Sequence, residues 1–231
     1  MSSSWIILQC RRWRPNLYQL ICFSEHQGLT VHFVFPSQIA KRHFQPGDMI
    51  AGTIDQRTFD VQTVFSPQVF ALSNGTKLAI LSCVTELLQL TLPANHPYTH
   101  LYQATEQLLR SLDDNFQQPF EYVAAYSYFE RLLLEEMGFG LSLDSCAVTG
   151  TSVDLAYISP KTGRAVSREA GVSYHEKLLP LPDVWQTPPK GSDWDQALKV
   201  SEFFIKKQLR AGQELPFMRT YLMGNLLLPV P

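Results

Sequence analysis

Residues 5–35 read WIILQCRRWRPNLYQLICFSEHQGLTVHFVF, three short apolar runs separated by polar turns. Runs of this kind, rich in β-branched and aromatic residues, predict β-strands. Five of them occur before residue 66, at 5–10, 17–23, 29–35, 49–54 and 59–65. Since they leave no room for crossover helices, we predict a small five-stranded antiparallel barrel, and the OB-fold is the commonest such barrel at this size.

The pattern changes to helical spacing after Leu72. Helices are predicted at 77–90, 99–112, 120–137, 192–210 and 217–228, with Ser192 and Asp195 capping the fourth. Glycines and prolines break any regular element in residues 141–191. We therefore expect an α+β protein with an OB-fold domain at 1–72 and a mainly helical domain at 73–231 that contains an irregular insert.

Composition supports folded domains, with 45% apolar and 17% charged residues. Residues 1–72 hold six Lys and Arg against four acids, and the rest holds 13 against 17. The amino-terminal part is therefore basic and the remainder acidic, a distribution that favours a local patch for a polyanion.

Sequence motifs for catalysis or metal binding are missing. The four cysteines form no C-x-x-C pair, the six histidines are dispersed, and neither a phosphate loop nor a nucleophile elbow occurs. We expect reduced thiols, no metal, no cofactor and no enzymatic activity. No run is long enough to cross a membrane and no signal peptide is visible, so we expect a cytoplasmic protein.

Two basic clusters of the barrel are candidates for nucleic-acid binding. We expect the first cluster at the turn after the first strand, next to Trp13, and the second in the loop after the third strand. Cations there would hold phosphates while aromatic rings stack on bases. The alternative is that they are ordinary solvated turn residues. The candidates are Arg11, Arg12, Arg14, Lys41 and Arg42.

The helix predicted at 192–210 has a basic face with one aromatic residue, Phe203, in it. Such a face suits a partner with negative charge and an apolar group, for example an acidic peptide tail, and it would also suit DNA. The alternative is a solvated face on which Phe203 is covered by a neighbouring segment. Its cations are Lys199, Lys206, Lys207 and Arg210.

Glu130 falls on the apolar face of the helix predicted at 120–137. A carboxylate there must be paired or protonated. We expect a structural role, with Arg164 or Arg168 as its partner. A general acid is the alternative reading.

Residues 129–140 read FERLLLEEMGFG, which resembles the signature of the DNA repair protein RecO family, a helix that ends in FE..LL..LG.G. LDSCAVTG at 143–150, YISPKTGRAVS at 157–167 and LLPLP at 178–182 follow in the expected order. EHQG at 25–28, QPG at 45–47 and Leu215-Pro216 with Arg219 and Leu222 match more loosely. The chain looks most like the alphaproteobacterial branch.

The resemblance implies an OB barrel followed by a helical domain, and a recombination mediator that binds single- and double-stranded DNA and anneals complementary strands. Such proteins also bind the acidic carboxy-terminal tail of single-stranded DNA-binding protein and act with RecR to load RecA. By position, Lys41 and Arg42 would contact DNA, and Arg219 would help to hold the tail.

Two departures from the family pattern stand out. Some members bind zinc through two C-x-x-C pairs, whereas the matching positions here are Cys146, Thr149, Ser167 and Ala170, so we predict no zinc. Many members also carry Arg where this chain has Ser127, so we expect a tail site that is weaker, or rebuilt with Arg131 or Arg110.

Two other functions stay open. An OB-fold adaptor for structured RNA or tRNA would use the same barrel and basic loops. A hydrolase built around Glu130 or Cys146 would need an accessible active site.

Overall fold

A computed structural model describes residues 3–39, 44–54, 59–113, 119–186 and 193–226. It divides into two compact units, Met1–Tyr122 with Leu215–Asn225, and Val123–Glu214 with Leu226–Pro231. The boundary expected at residue 72 falls inside the first unit, and whether residues 1–72 fold as a domain by themselves stays a prediction.

Secondary structure follows the predicted order. The elements are β1 (Ser3–Arg14), β2 (Leu17–Ser24), β3 (Gly28–Val34), α1 (Pro36–Ile39), β4 (Met49–Ile54), β5 (Phe59–Phe65), α2 (Gln68–Ala71), α3 (Gly75–Thr91), α4 (Thr99–Ser111), α5 (Pro119–Glu136), β6 (Leu155–Ile158), β7 (Ala165–Ser167), α6 (Arg168–Gly171), β8 (Leu179–Pro180), α7 (Trp194–Gln208) and α8 (Phe217–Leu226).

The first unit contains the five predicted strands in one antiparallel sheet of order β3-β2-β1-β4-β5. The outer strands β3 and β5 are not paired with each other in the described part of the chain, so the expected barrel is not closed. An open sheet of five antiparallel strands followed by helices is consistent with the OB-fold, which is a partly open barrel.

One face of this sheet carries an apolar core. Alternate residues of each strand point to the same side, and the side chains on the inner side are buried. Each such side chain contributes roughly 1.5–3 kcal/mol when it is removed from water. The cluster contains Trp5, Ile7, Leu20, Cys22, Val34, Phe44, Ile50 and Val61.

The helices of the first unit are joined by polar contacts as well as by apolar packing. Asn74 caps α3 by accepting hydrogen bonds from the backbone N–H groups of Thr76 and Lys77. The buried Lys77 ammonium donates to the carbonyl of Leu112 at 2.7 Å and lies 4.9 Å from the ring centre of Tyr122. Lys77 thereby satisfies a carbonyl at the end of α4.

The second unit contains a small sheet that the sequence did not predict. Strands β7, β6 and β8 pair in that order inside 141–191, where we expected irregular structure. They are only two to four residues long and lie close to glycines and prolines, so they give no periodic signal.

Helix α7 begins two residues later than predicted. Its N-cap is Asp193 rather than Ser192, which lies outside the described residues. The Asp193 carboxylate accepts from the backbone N–H groups of Asp183 and Val184, at 2.9 and 3.1 Å. The side chain therefore fastens the preceding loop instead of closing a capping box. None of the helices described here is long and apolar enough to cross a membrane.

Candidate nucleic-acid and partner sites

The three arginines expected in the first turn lie on the strand β1 itself. Arg11, Arg12 and Arg14 are paired with residues of β2, and all three side chains are exposed. Arg11 Nε donates to Gln19 Oε1 at 2.7 Å, and Arg12 Nη2 donates to the carbonyl of Pro15 at 2.8 Å. Both acceptors are neutral, so these bonds position the guanidinium groups without cancelling their charge.

The second basic cluster, Lys41 and Arg42, lies outside the described residues. Its role in DNA binding stays a prediction.

The sequence identified Trp13 next to the arginines but did not identify Phe33 as a second exposed aromatic residue there. The rings of Trp13 and Phe33 lie with centroids 6.1 Å apart, and the Arg11 guanidinium lies 5.3 Å from the ring centre of Trp13. The sequence signal for Phe33 was its alternation with Val31 and Phe35, which predicts that the three side chains share one face. Sequence alone does not say that this face is turned to solvent.

The basic face of α7 is largely engaged by its own neighbours. Lys199 pairs with Asp195 at 3.0 Å and Lys206 with Glu202 at 2.5 Å, each one turn away on an exposed surface. Such pairs contribute little to stability, but they lower the net charge that a partner would meet.

Phe203 and Lys207 are engaged too. The Lys207 ammonium donates to the carbonyl of Pro160 and lies 4.8 Å from the ring centre of Phe203. Phe203 is half-buried and packs edge-on against Phe204, with ring centroids 5.3 Å apart. Arg210 is exposed just after the helix.

Arg219 does not belong to the same unit as this face. It lies on α8 in the first unit and is 2% exposed, whereas α7 belongs to the second unit. The joint role of Arg219 and the α7 residues stays a prediction.

A cavity of about 470 Å³ opens in the second unit, beside α5. The guanidinium of Arg131 lies 5.2 Å from the ring centre of Tyr128 at its wall, and the buried Nε1 of Trp194 has no hydrogen-bond partner among the described residues. It is lined by Ala124, Tyr128, Arg131, Glu135, Leu141, Leu143, Asp144, Val184, Trp185, Gln186 and Trp194.

Ser127, where many family members have Arg, is fully buried next to this cavity. Its hydroxyl accepts a hydrogen bond from the indole N–H of Trp185 at 3.2 Å. The Trp185 indole thus packs against Ser127, and Arg131 is the cation among the residues that line the cavity.

Glu130 is completely buried and is held by hydroxyl groups. Tyr126 Oη donates to one carboxylate oxygen at 2.5 Å, and Ser201 Oγ donates to the other. The Arg164 side chain is exposed, and Arg168 pairs with Asp154 at 3.3 Å. The structural role expected of Glu130 and Arg164 as a pair stays a prediction.

The four positions that match a zinc site are drawn together by hydrogen bonds. Cys146 Sγ accepts from the backbone N–H of Ser167 at 3.2 Å, and Ser167 Oγ accepts from the N–H of Ala170. Burial alone would raise the pKa of the Cys146 thiol, but hydrogen bonds from Ser167 and Thr149 lower it to about 6. Within the described residues no group of three or more His, Cys, Asp or Glu could hold a metal. The residues present therefore do not fit zinc.

Comparison with known proteins gives a consistent result. A family model described as Recombination protein O C terminal matches residues 72–213. The DNA repair protein RecO of Ruegeria sp. (strain TM1040) is 36% identical over 214 residues, which cover 88% of this chain and 87% of that protein. The DNA repair protein RecO of Paracoccus denitrificans (strain Pd 1222) is 40% identical over 231 residues, which cover 95% and 93%.

These relatives are alphaproteobacterial, which confirms the branch that the sequence resembled. The family match spans most of the helical part, and the pairwise matches cover 88% and 95% of the chain, so they extend into the sheet. The chain belongs to the RecO family of DNA repair proteins.

Proposed function

We propose that the protein is a recombination mediator in bacterial DNA repair that binds and anneals DNA and has no catalytic activity of its own. A role in DNA repair follows from the family. The finer role rests on charge, because Arg11, Arg12 and Arg14 project from one strand end and the described bonds of Arg11 and Arg12 go to neutral groups. Cations placed in this way attract phosphates of any sequence.

The salt dependence of DNA binding tests this function. Each phosphate contact on a single strand changes the slope of log K against log salt by about 0.7. Arg11→Ala/Arg12→Ala should therefore make the slope shallower by roughly 1.4 in fluorescence anisotropy titrations with a labelled oligonucleotide. Lys41→Ala/Arg42→Ala should act in the same way. Absence of DNA binding in the wild-type protein would contradict the function itself.

Arg168→Ala is a matched control for these variants. Arg168 is an exposed arginine of the second unit that pairs with Asp154. Its removal should leave the slope unchanged. A change of slope in Arg168→Ala of about half that in each double variant would mean that binding follows net charge and not a defined patch, because Arg168→Ala removes one cation and each double variant removes two.

We further propose that the protein docks on the acidic tail of single-stranded DNA-binding protein and, with RecR, helps to load RecA, working with DNA in the bacterial cytoplasm and nucleoid. Two places can take the tail. One is the α7 face of Lys199, Phe203, Lys206, Lys207 and Arg210, together with Arg219. The other is the cavity with Arg131.

The cavity is the stronger of the two candidates for the tail. Arg131 in the cavity wall forms no ion pair within the described residues, and Leu141, Leu143 and Val184 lie in the same wall. Glu135 and Asp144 also line the cavity. On α7, by contrast, Lys199 and Lys206 already pair with carboxylates. In fluorescence titrations with a tail peptide, Arg131→Ala should weaken binding at least about tenfold, the usual effect of losing a buried charged contact. Lys206→Ala should have little effect. The reverse order would return the site to α7.

The two other functions are weaker. A hydrolase would need Glu130 or Cys146 at a surface, but both side chains are buried. RNA would use the same arginines, so competition between RNA and single-stranded DNA for the wild-type protein separates the two adaptors. Preferential binding of structured RNA would favour the RNA adaptor.

A further inference from the structure

The face of β3 that is turned to solvent is its more apolar face. Val31 and Phe33 on β3 and Phe35 directly after it are 43%, 51% and 59% exposed, while Thr30 and Val34 are buried. The side-chain period of a strand allows either face to be turned inward. Hydrophobic burial alone would therefore favour the orientation with the aromatic face inward. A partner that covers these residues would explain why they remain outside.

Strand register continues this outer face across three strands, where it becomes polar and basic. Arg11 is opposite Gln19, and Gln19 is opposite Phe33, so the three side chains lie in one row on the outer side of the sheet. The hydrogen bond from Arg11 to Gln19 fits this placement. Trp13, two residues after Arg11 on β1, reaches Phe33 with its ring.

Trp13 is half exposed, unlike Trp5 and Trp185, which are buried. Its contact with Phe33 is edge-on, with an interplanar angle of 61°, so the two rings are not stacked on each other. Arg11 lies over the Trp13 ring, and this contact orients the indole as well as bringing a positive charge to it. Rings that are fixed but not stacked on each other keep surface for a flat ligand.

Charge selects among the ligands that such a face can take. The exposed arginines at the end of β1 surround the rings with positive charge. A ligand that brings flat apolar groups on an anionic backbone matches both features, and single-stranded nucleic acid is such a ligand. Duplex DNA brings the same charge but keeps its base faces stacked inside the helix.

We propose that Trp13 and Phe33, held by Arg11, form a platform on the outer face of β1–β3 on which unpaired bases stack. The proposal rests on the proposed function and deepens it. The arginines hold any phosphate backbone, whereas the two rings distinguish unpaired strands from duplex. The strand then crosses the open face of the sheet rather than only the loops at its end.

An abasic strand isolates the contribution of stacking. The wild-type protein should bind a single-stranded oligonucleotide at least about fivefold more tightly than an abasic strand of the same length and charge, since stacking on one ring contributes at least that factor. Trp13→Ala and Phe33→Ala should remove most of this difference. They should change binding of the abasic strand, and of a duplex, by less than about twofold.

Conservative replacement separates stacking from a structural role. Trp13→Phe keeps a ring and should retain most of the preference for bases, while the fluorescence quenching that DNA causes in the wild type should be lost. Tyr174→Ala removes a side chain of similar exposure from the second unit and should change nothing. Circular dichroism and thermal unfolding should show that each variant is folded.

Failure of this proposal is distinguishable from failure of the function. If the wild type binds the abasic and the normal strand equally, or if the ring variants lose affinity for duplex as much as for single strands, the platform is wrong and DNA binding stands. An undiminished preference for bases in both alanine variants would also overturn the platform. The same holds if an acidic, aromatic peptide, and not the oligonucleotide, binds specifically at this face. A wild type that binds no DNA would remove both.

Discussion

At the scale of single residues, Gly28 determines how the turn between β2 and β3 packs. Gly28 has φ of +66°, and a Cβ at this position would lie 1.7 Å from the carbonyl oxygen of His96. Both facts require glycine, because the conformation disfavours other residues and the neighbouring atom is backbone that cannot rotate away. This position belongs to the EHQG segment that carried part of the family resemblance.

Gly28→Ala should therefore destabilise the protein by about 3 kcal/mol or more. Gly138 is the control, since its φ is +84° but a Cβ at that position would have no neighbouring atom within 4 Å. Gly138→Ala should cost only about 1–2 kcal/mol, the cost of the left-handed conformation. Urea denaturation followed by circular dichroism measures both. Equal losses would mean that the contact with His96 is not a constraint.

Cys146 links stability to pH. Its pKa is lowered from 9.0 to about 6, so the folded state holds the thiolate more strongly than the unfolded state does. This contribution is complete above pH 9, declines as the pH falls, and is lost once the pH passes below about 6. The stability difference between wild type and Cys146→Ala should therefore grow between pH 6 and pH 9.

Cys22→Ala provides the control for this pH dependence. Burial raises the pKa of Cys22, so this thiol is neutral in both states between pH 6 and pH 8. Its removal should destabilise the sheet by a similar amount throughout that range. Denaturant midpoints at several pH values test both variants. A flat difference for Cys146→Ala would show that the thiol is protonated in the folded protein.

At the scale of elements, the sequence predicted every strand of the first sheet, because each strand ends at a turn signal. β4 and β5 have the predicted bounds, while β1 extends through Arg14 because its arginines pair with β2. Apolar periodicity stops at the last apolar residue and misses such an extension. The same limit led us to place the arginines in a turn.

The orientation of β3 could not be predicted from the sequence. Hydrophobic burial favours an orientation with the more apolar face inward, and the structure has the opposite one. His32 and Thr30 hydrogen-bond at 2.9 Å on the less apolar side, and Thr30 is buried. The insert escaped prediction for another reason, since its strands are only two to four residues long. Bonds between its loops also help to hold it, such as the one from the backbone N–H of Ser167 to Cys146 Sγ.

Three cysteine substitutions should give the insert a zinc site that its present residues do not form. Cys146 and Ser167 are in contact, and Thr149 and Ala170 each hydrogen-bond within the same cluster. Thr149→Cys/Ser167→Cys/Ala170→Cys would give two C-x-x-C pairs, the ligand set of a structural zinc site.

This triple variant should bind one equivalent of zinc, measured with a chromophoric chelator, and cobalt substitution should give a tetrahedral thiolate spectrum. Adding Cys146→Ala to the variant should weaken binding strongly, because one of four ligands is lost. If the triple variant binds no zinc while remaining folded, the hydrogen-bonded cluster does not keep the geometry of a metal site.

At the scale of the whole molecule, the two proposed binding sites lie in different units. The arginines and rings proposed for DNA belong to the first unit, and the cavity proposed for the acidic tail belongs to the second. The proposed function requires the protein to hold the strand and the acidic tail at the same time. Binding sites that share no residues usually contribute independently to the free energy.

A saturating concentration of tail peptide should therefore change the affinity for a single-stranded oligonucleotide by less than about twofold. Arg131→Ala should weaken peptide binding without affecting DNA, and Arg11→Ala should do the opposite. Anisotropy of differently labelled DNA and peptide in one sample measures both affinities. If the peptide displaces the DNA, the two ligands compete for the same cations, and the basic face of the sheet, rather than the cavity, would be where the tail docks.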